Sequence, residues 1–389
     1  MSLHCRYFLA GECRSCSELL TPYARQLADK DAAIRAQFAD WPDIDWLPPV
    51  ASAPSGFRNK AKMAVGGSIG QPTLGLSDAD GREVDLSDCL LYPPALQAAF
   101  APIKSFIRRA GIAPYDIRAR CGELKFALLT LAEHSGELML RLVLRSPAAL
   151  GRIRRALPTL IEALPALKVV SANLQPLPAA VLEGEEEILL TTQSHLLMRV
   201  NDIDLYLRPQ GFFQTNTRIA AALYRQAAEW VAQADPASVW DLYCGVGGFA
   251  LHCADGRREV LGVELSEAAV EAARQAARAR GVAGLRFEAR DAASLRLPAR
   301  GAPELLIVNP PRRGIGDDLC AQIEASDVRQ LIYSSCNAQS LARDLRALPS
   351  FRPLQGRVMD MFPHTRHAET LLRLERPTPA RGDAGSKDA

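Results

Sequence analysis

The residues best able to do chemistry gather where apolar runs stop. "LIYSSCNAQ" (331–339) ends an apolar stretch in two serines, Cys336 and Asn337, and "LLIVNPPRRGIG" (305–316) ends another in Asn309, two prolines and two arginines. Strands that deliver polar groups to one rim are where open α/β sheets keep their chemistry. A cysteine within a strand is most often an inert small hydrophobe, the reading given to Cys121, Cys244, Cys253 and Cys320. Cys336 instead follows its strand and precedes a helix start, where the helix dipole would favour thiolate, so it is the candidate nucleophile. "DMFPHTRHAETLLRL" (360–374) brings His364, His367 and Glu369 just ahead of a closing apolar strand. Glu369 is the carboxylate best placed to reach the same rim as a base, while an orienting or surface role fits either histidine as well as catalysis.

A thiolate paired with a base suits one demanding reaction. Carbon 5 of a uracil is too poor a nucleophile to take a methyl group directly, but thiolate addition at carbon 6 creates an enolate that can. A base must then remove the carbon 5 proton so that the cysteine leaves by elimination. The cofactor signal agrees. In "SVWDLYCGVGGFALHCA" (238–254) a strand meets glycines and then a helix, which lets a ligand approach the backbone and a helix N-terminus. Glu264 closes the next strand, where a carboxylate can accept hydrogen bonds from ribose hydroxyls, and Asp291 follows "LRFEAR" where an adenine contact is expected. Gly245, Gly247 and Ala250 also fit G-x-G-x-x-A, so a nicotinamide dehydrogenase is the competing reading. The acidic start D-L-Y-C-G favours S-adenosylmethionine. Asn309-Pro-Pro gives a stiff extended knot at the cofactor side, and Arg312 stands where methylases of nucleobase amino groups carry an aromatic residue.

The elements that must position these groups follow from pattern. The second half alternates strand and helix, including a long amphipathic helix over 217–233, and reads as a doubly wound sheet. From residue 57 to about 190, short alternating runs such as "KAKMAVGG", "KFALLTLAE" and "LMLRLVLRS" with one helix in 146–165 read as an α+β unit. A helical pattern after residue 20 stops near Trp41-Pro42, and "WLPPVASAPSG" (46–56) reads as a linker. The expected domains are a cysteine-cluster segment over 1–50, a central unit over 51–195, a cofactor domain over 196–376 and a disordered polar tail over 377–389. The chain has 389 residues with net charge +2, so any nucleic-acid surface must be a local patch. No apolar run reaches membrane-spanning length, and nine cysteines without a secretory signal point to ligands and thiols in a cytoplasmic protein rather than to disulfides. Cys5, Cys13 and Cys16 need a fourth ligand, and Cys89 in the loop "DLSDCLLYPP" (85–94) is the natural choice. Spacing alone leaves zinc and iron-sulfur open. Arg58, Lys60 and Lys62 in "FRNKAKM" (57–63) alternate, as phosphate contacts on one strand face would.

Taken together, C-x7-C-x2-C, "FRNKAKM", "RPQGFFQTN", "DLYCGVGGF", "VNPPRRG", "YSSCN" and "PHTRHAE" resemble the RNA uracil-C5-methyltransferases, in particular the iron-sulfur branch that methylates 23S ribosomal RNA. The resemblance covers nearly the whole chain. It implies a C-terminal Rossmann-like class I SAM-dependent methyltransferase domain beside an α+β RNA-binding domain with a four-cysteine iron-sulfur site. It further implies that Gln214, Tyr243, Glu264 and Asn309 bind S-adenosylmethionine, with Asp291 a further contact, that Cys336 is the nucleophile and that Glu369 is the base. Cys5, Cys13, Cys16 and Cys89 would hold a [4Fe-4S] cluster with a structural role. Many relatives begin with a small β-barrel; this chain begins at the cysteines, so RNA recognition is expected in the central unit and the cluster region. The target is expected to be a single-stranded or loop uridine turned outward, since Cys336 cannot reach a base inside a helix. Uridine methylation in transfer RNA and a non-catalytic RNA-binding assembly factor are the alternatives. A monomer without obligate protein partners is expected.

Overall fold

A computed structural model describes residues 3–77, 83–179, 181–292 and 295–377. Two large open sheets organise it. The first has eight strands in the order Asp45–Trp46, Arg352–Met359, Glu369–Glu375, Gln330–Ser335, Leu305–Val308, Ser238–Leu242, Glu259–Glu264 and Leu285–Ala289. The last five are mutually parallel, and Glu369–Glu375 joins them antiparallel. Their apolar runs are near-continuous, as burial on both faces requires: Leu305 to Val308 are all buried. Helices Thr217–Ala234, Gly248–Cys253 and Glu267–Arg280 contribute to the core on one side, and Gly316–Ala325 and Ala338–Arg346 to the core on the other. This is the mixed α/β architecture expected, with chemistry at the carboxyl ends of parallel strands.

The second sheet has seven strands, Glu83–Asp85, Pro72–Ser77, Lys60–Gly67, Leu124–Leu131, Leu138–Leu144, Leu167–Leu174 and Glu186–Leu189. Its one parallel pair, Leu138–Leu144 with Leu167–Leu174, is joined through helix Leu150–Ala163. That helix and Pro94–Ala110 share one core with the sheet. Neither sheet closes into a barrel among the described residues. No described helix is long and apolar enough to cross a membrane.

The N-terminal segment differs from expectation. The tract read as a linker starts on an edge strand and stays on the sheet: Asp45–Trp46 pairs parallel with Gln355 and Gly356, and Val50 bridges to Met359. Helix Tyr23–Ala36 leans on the same sheet, with Ile34, Phe38 and Ile44 in one core with Val358 and Leu374. A two-residue strand carries no readable periodicity, and its pairing partner lies at the far end of the chain. The tail expected to be disordered lies, from residue 378, outside the described residues.

Candidate active site

The catalytic candidates meet through sheet register. Ser335 pairs with Thr370 as the last step of the antiparallel register, so Cys336 and Glu369 are the next residues of the two segments, and the Glu369 carboxylate acts on the thiol. Asn337 ends the strand and caps the next helix, its side-chain oxygen accepting from the Gln339 amide at 3.2 Å. Its amide nitrogen donates to the Arg312 carbonyl at 3.0 Å, tying the thiol turn to the Asn309-Pro-Pro-Arg knot. Asp344 braces that knot from below: buried, it accepts from the Ile315 amide at 2.8 Å and from the Tyr333 hydroxyl at 2.7 Å. Gly314 has φ +87°, and a Cβ there would stand 2.2 Å from the Asp344 carboxylate, so the turn requires glycine.

Glu369 is 2 % exposed and accepts from the Ser334 hydroxyl at 2.6 Å. Burial pushes its pKa up to about 7, against a smaller downward pull from Ser334. A carboxyl poised near neutrality is what a general base at neutral pH needs. The thiol departs from expectation. Burial and then the Glu369 carboxylate raise the Cys336 pKa, and it is the Arg312 side chain, hydrogen-bonded to it, that pulls it down. Among the neighbouring side chains Arg312 is the one that favours thiolate, so Arg312 belongs to the site.

The cofactor candidates line the neighbouring strand ends. Glu264 accepts from the Gly245 amide at 3.1 Å and from the Ser266 amide at 3.0 Å, bridging the glycine turn to the next helix. Gly245 has φ +55°, and a Cβ there would meet nothing within 4 Å, so the backbone borders open space on this side. Tyr243, half-buried and also left-handed at φ +62°, precedes it, and Asn309 follows the adjacent strand with Val308 paired to Tyr333. Asp291 is exposed after the last parallel strand. Gln214 is buried in the loop ahead of helix Thr217–Ala234, whose cap, Asn216, accepts from the Ile219 amide and donates to Ser52 Oγ at 2.7 Å. Asn59 of the central unit donates to the Gln214 carbonyl and to Thr217 Oγ1, both at 2.9 Å, so the two halves of the molecule meet at this loop. Asp241 carries more than its motif letter suggested. It is fully buried beneath the glycine turn, accepts from the Ala250 amide at 2.9 Å, leaves Oδ1 without a partner, and is raised by burial to about 8.

The remaining groups separate cleanly. His364 is buried with both ring nitrogens engaged, by Gln26 at 3.2 Å and by the Pro54 carbonyl at 2.6 Å, and serves structure. His367 is exposed. Phe213 is core, whereas Phe212 is 66 % exposed. Cys244, Cys253 and Cys320 are buried as expected, but Cys121 is exposed, because it closes a turn outside the sheet.

Cys5, Cys13, Cys16 and Cys89 border one cavity of about 280 Å³ with Arg58, Lys62 and Tyr92. None forms a disulfide. Burial raises Cys16 to about 12, with further upward pushes from Cys89, Cys13 and Cys5, so the four thiols sense one another. Among the described residues no group of three or more His, Cys, Asp or Glu is placed to hold a metal ion. Arg58 precedes strand Lys60–Gly67, so it is not on the strand with Lys60 and Lys62 as expected, and it borders this cavity together with Lys62. Lys60 is lowered to about 8, mainly by burial and then by Lys62.

The fold and the rim define a class I methyltransferase architecture. A family model described as tRNA (Uracil-5-)-methyltransferase matches residues 190–377. The chain is 47 % identical over 372 residues to the 23S rRNA (uracil(747)-C(5))-methyltransferase RlmC of Escherichia coli strain K12, covering 96 % of this chain and 99 % of that protein. It is 47 % identical over 374 residues to the RlmC of Vibrio cholerae serotype O1 strain M66-2, covering 96 % and 100 %. The crystal structure of the Pyrococcus abyssi tRNA (uracil-54, C5)-methyltransferase in complex with S-adenosyl-L-homocysteine shares the fold, with a TM-score of 0.76 at 23 % identity over 92 % of this chain and 85 % of that one. This chain belongs to the RNA uracil-C5-methyltransferase family.

Proposed function

We propose that this protein methylates carbon 5 of a uridine in 23S ribosomal RNA, using S-adenosylmethionine, as a monomer in the cytoplasm. The observation that carries the reading is that Cys336 and Glu369 adjoin the last pair of one antiparallel register, with the carboxylate acting on the thiol, in a fold that also holds the open glycine turn. The near full-length likeness to proteins named RlmC favours ribosomal over transfer RNA.

Gln214, Tyr243, Glu264, Asn309 and Asp291 would hold the cofactor, whose sulfonium supplies an electrophilic methyl group. Open space at Gly245 and a carboxylate at Glu264 suit the adenosine end. Cys336, held toward thiolate by Arg312, bonds to carbon 6 of the uracil, and the displaced π electrons form an enolate. Carbon 5 then takes the methyl group. Glu369 removes the carbon 5 proton, the double bond re-forms, and the carbon 6 to sulfur bond breaks to return the thiolate. Exposed Phe212 offers a stacking face for an outward-turned base, and exposed Lys62 a phosphate contact.

Cys5, Cys13, Cys16 and Cys89 would hold a [4Fe-4S] cluster. Four thiols bordering one cavity would supply a four-cysteine ligand set of the kind such a cluster takes. A cationic cluster core also removes the repulsion among four thiolates, and Arg58 would balance the residual negative charge. The test is incubation with labelled S-adenosylmethionine and unmodified 23S ribosomal or transfer RNA, followed by nucleoside analysis. The reading requires 5-methyluridine in the ribosomal RNA and none with Cys336→Ala. Label in transfer RNA alone transfers the assignment to that substrate.

A further inference from the structure

The loop that delivers Glu369 is held from outside its own domain half. Residues 360–368 connect strand Arg352–Met359 to strand Glu369–Glu375, and their buried polar groups find partners in residues 18–54. At the loop's start, Asp360 pairs with Lys30 at 2.6 Å and accepts from the Tyr23 hydroxyl at 2.8 Å, while its amide donates to the Val50 carbonyl at 2.9 Å. Lys30 also donates to the Phe362 carbonyl at 2.9 Å.

The middle of the loop is fixed by one residue pair. Gln26, 3 % exposed, accepts from the His364 amide at 2.9 Å through Oε1, while its Nε2 lies 3.2 Å from His364 Nδ1. The same Nε2 donates to the Glu18 and Thr21 carbonyls at 2.9 and 2.7 Å. Glu18 closes the circle: its amide donates to the His364 carbonyl at 3.0 Å. His364 is left-handed at φ +63°, a conformation that a non-glycine residue keeps only where its surroundings over-determine it. Helical spacing explains the donor side, because Tyr23, Gln26 and Lys30 lie on one face of helix Tyr23–Ala36.

We propose that Gln26 and His364 are positioning residues for proton abstraction: the joint between them sets the Glu369 carboxylate against the carbon 5 proton. Cys16 lies two residues before Glu18, so the cysteine segment serves the base through this joint. Because Cys336 follows a different strand and its thiol meets Arg312, loss of the joint spares thiolate addition and slows elimination. The proposal rests on Glu369 acting as the base.

The experiment uses full-length protein, unmodified 23S ribosomal RNA and methyl-labelled S-adenosylmethionine, with three readouts: cofactor affinity, labelled protein–RNA adduct on denaturing gels, and released 5-methyluridine against pH. Gln26→Leu and His364→Ala are expected to retain cofactor affinity within about twofold and to form methylated adduct. They should release product ten to a hundred times more slowly, with the adduct accumulating and the pH dependence of release displaced. Arg25→Ala, an exposed position on the same helix, should match the unaltered protein. Glu369→Gln separates the two readings. If it fails to trap adduct, the base assignment falls and the joint with it. If it traps adduct while Gln26→Leu and His364→Ala release product at the normal rate, or lose cofactor binding and adduct formation together, the joint alone is overturned.

Discussion

The rim that carries Cys336 and the cavity that carries the cluster cysteines both draw on distant parts of the chain, yet they are assembled by different means. At the rim, neighbours are set by backbone pairing within one sheet, from Val308 beside Tyr333 to Ser335 beside Thr370. The cavity is bordered by side chains from residues 5–16, 58–63 and 75–92, and the cysteines among them lie in loops and at the start of one short helix. The rim's geometry therefore follows from strand pairing, whereas the cavity's follows from the packing of loops and side chains. The rim's chemistry should answer to single side chains, and the cavity's integrity to the set.

The sharpest break at the rim is Cys336→Ala. Methylation is expected to fall by at least about a thousandfold, as for removal of a nucleophile in other enzymes. Urea unfolding should be unchanged within about 0.5 kcal/mol, because the half-buried thiol fills no core position. A variant that retains a tenth of the activity removes Cys336 from the mechanism.

The brace behind the rim should respond in the opposite sense. Lys30→Met leaves the fully buried Asp360 carboxylate without its cation, an uncompensated charge that costs about 3–5 kcal/mol of stability. Chemical denaturation measures this, and Asp360→Asn in the same chain should restore part of the loss, since the unpaired charge rather than the missing contact is responsible. An additive double variant would mean that the two groups act independently.

Acidity supplies a smaller, graded comparison. Glu369 titrates near 7 in the folded chain against an ordinary value of 4.5, so below about pH 7 it is protonated and cannot accept the carbon 5 proton. Turnover limited by elimination should rise about tenfold per unit from pH 5 to 6 and level above 7. The same raised value means that between 4.5 and 7 the folded chain holds a proton that the unfolded chain releases. Its stabilising contribution is thus fully present below 4.5 and is lost as pH rises through 7. Glu369→Gln should flatten this stability slope, which differential unfolding between pH 5 and 8 would detect.

These tests also mark where sequence reading reaches and where it stops. The parallel half was readable because each strand, turn and helix follows in order, so "YSSCN" and "HAETLL" announce groups that strand ends must bring to one rim. Helix Pro94–Ala110 was not anticipated, although Pro93 and Pro94 at its start and Gly111 after it are the expected boundary residues. The Lys30 to Asp360 pair spans 330 residues, and a lone lysine on an amphipathic helix carries no local sign of its partner. The alternation of Lys60 and Lys62 was readable, but Arg58 lies before the strand and obeys loop geometry instead. What Arg312 did not announce is its contact with the Cys336 thiol, which lies just past another strand.

The smallest expected effect separates the two basic residues that border the cysteine cavity. Lys62 is exposed on the strand, whereas Arg58 is half-buried and lowers the thiol pKa of both Cys16 and Cys89. If Lys62 meets a phosphate, Lys62→Ala should weaken RNA binding several-fold and reduce the slope of log affinity against log salt by about 0.7, the value for one contact on single-stranded nucleic acid. The visible absorbance of the purified protein should stay as it was. Arg58→Ala should do the reverse: the salt slope holds while the cluster absorbance falls, because a positive charge that favours four thiolates has been removed from their cavity. Equal changes in slope for both variants would return Arg58 to the RNA surface and leave the cavity to balance its charge by other means.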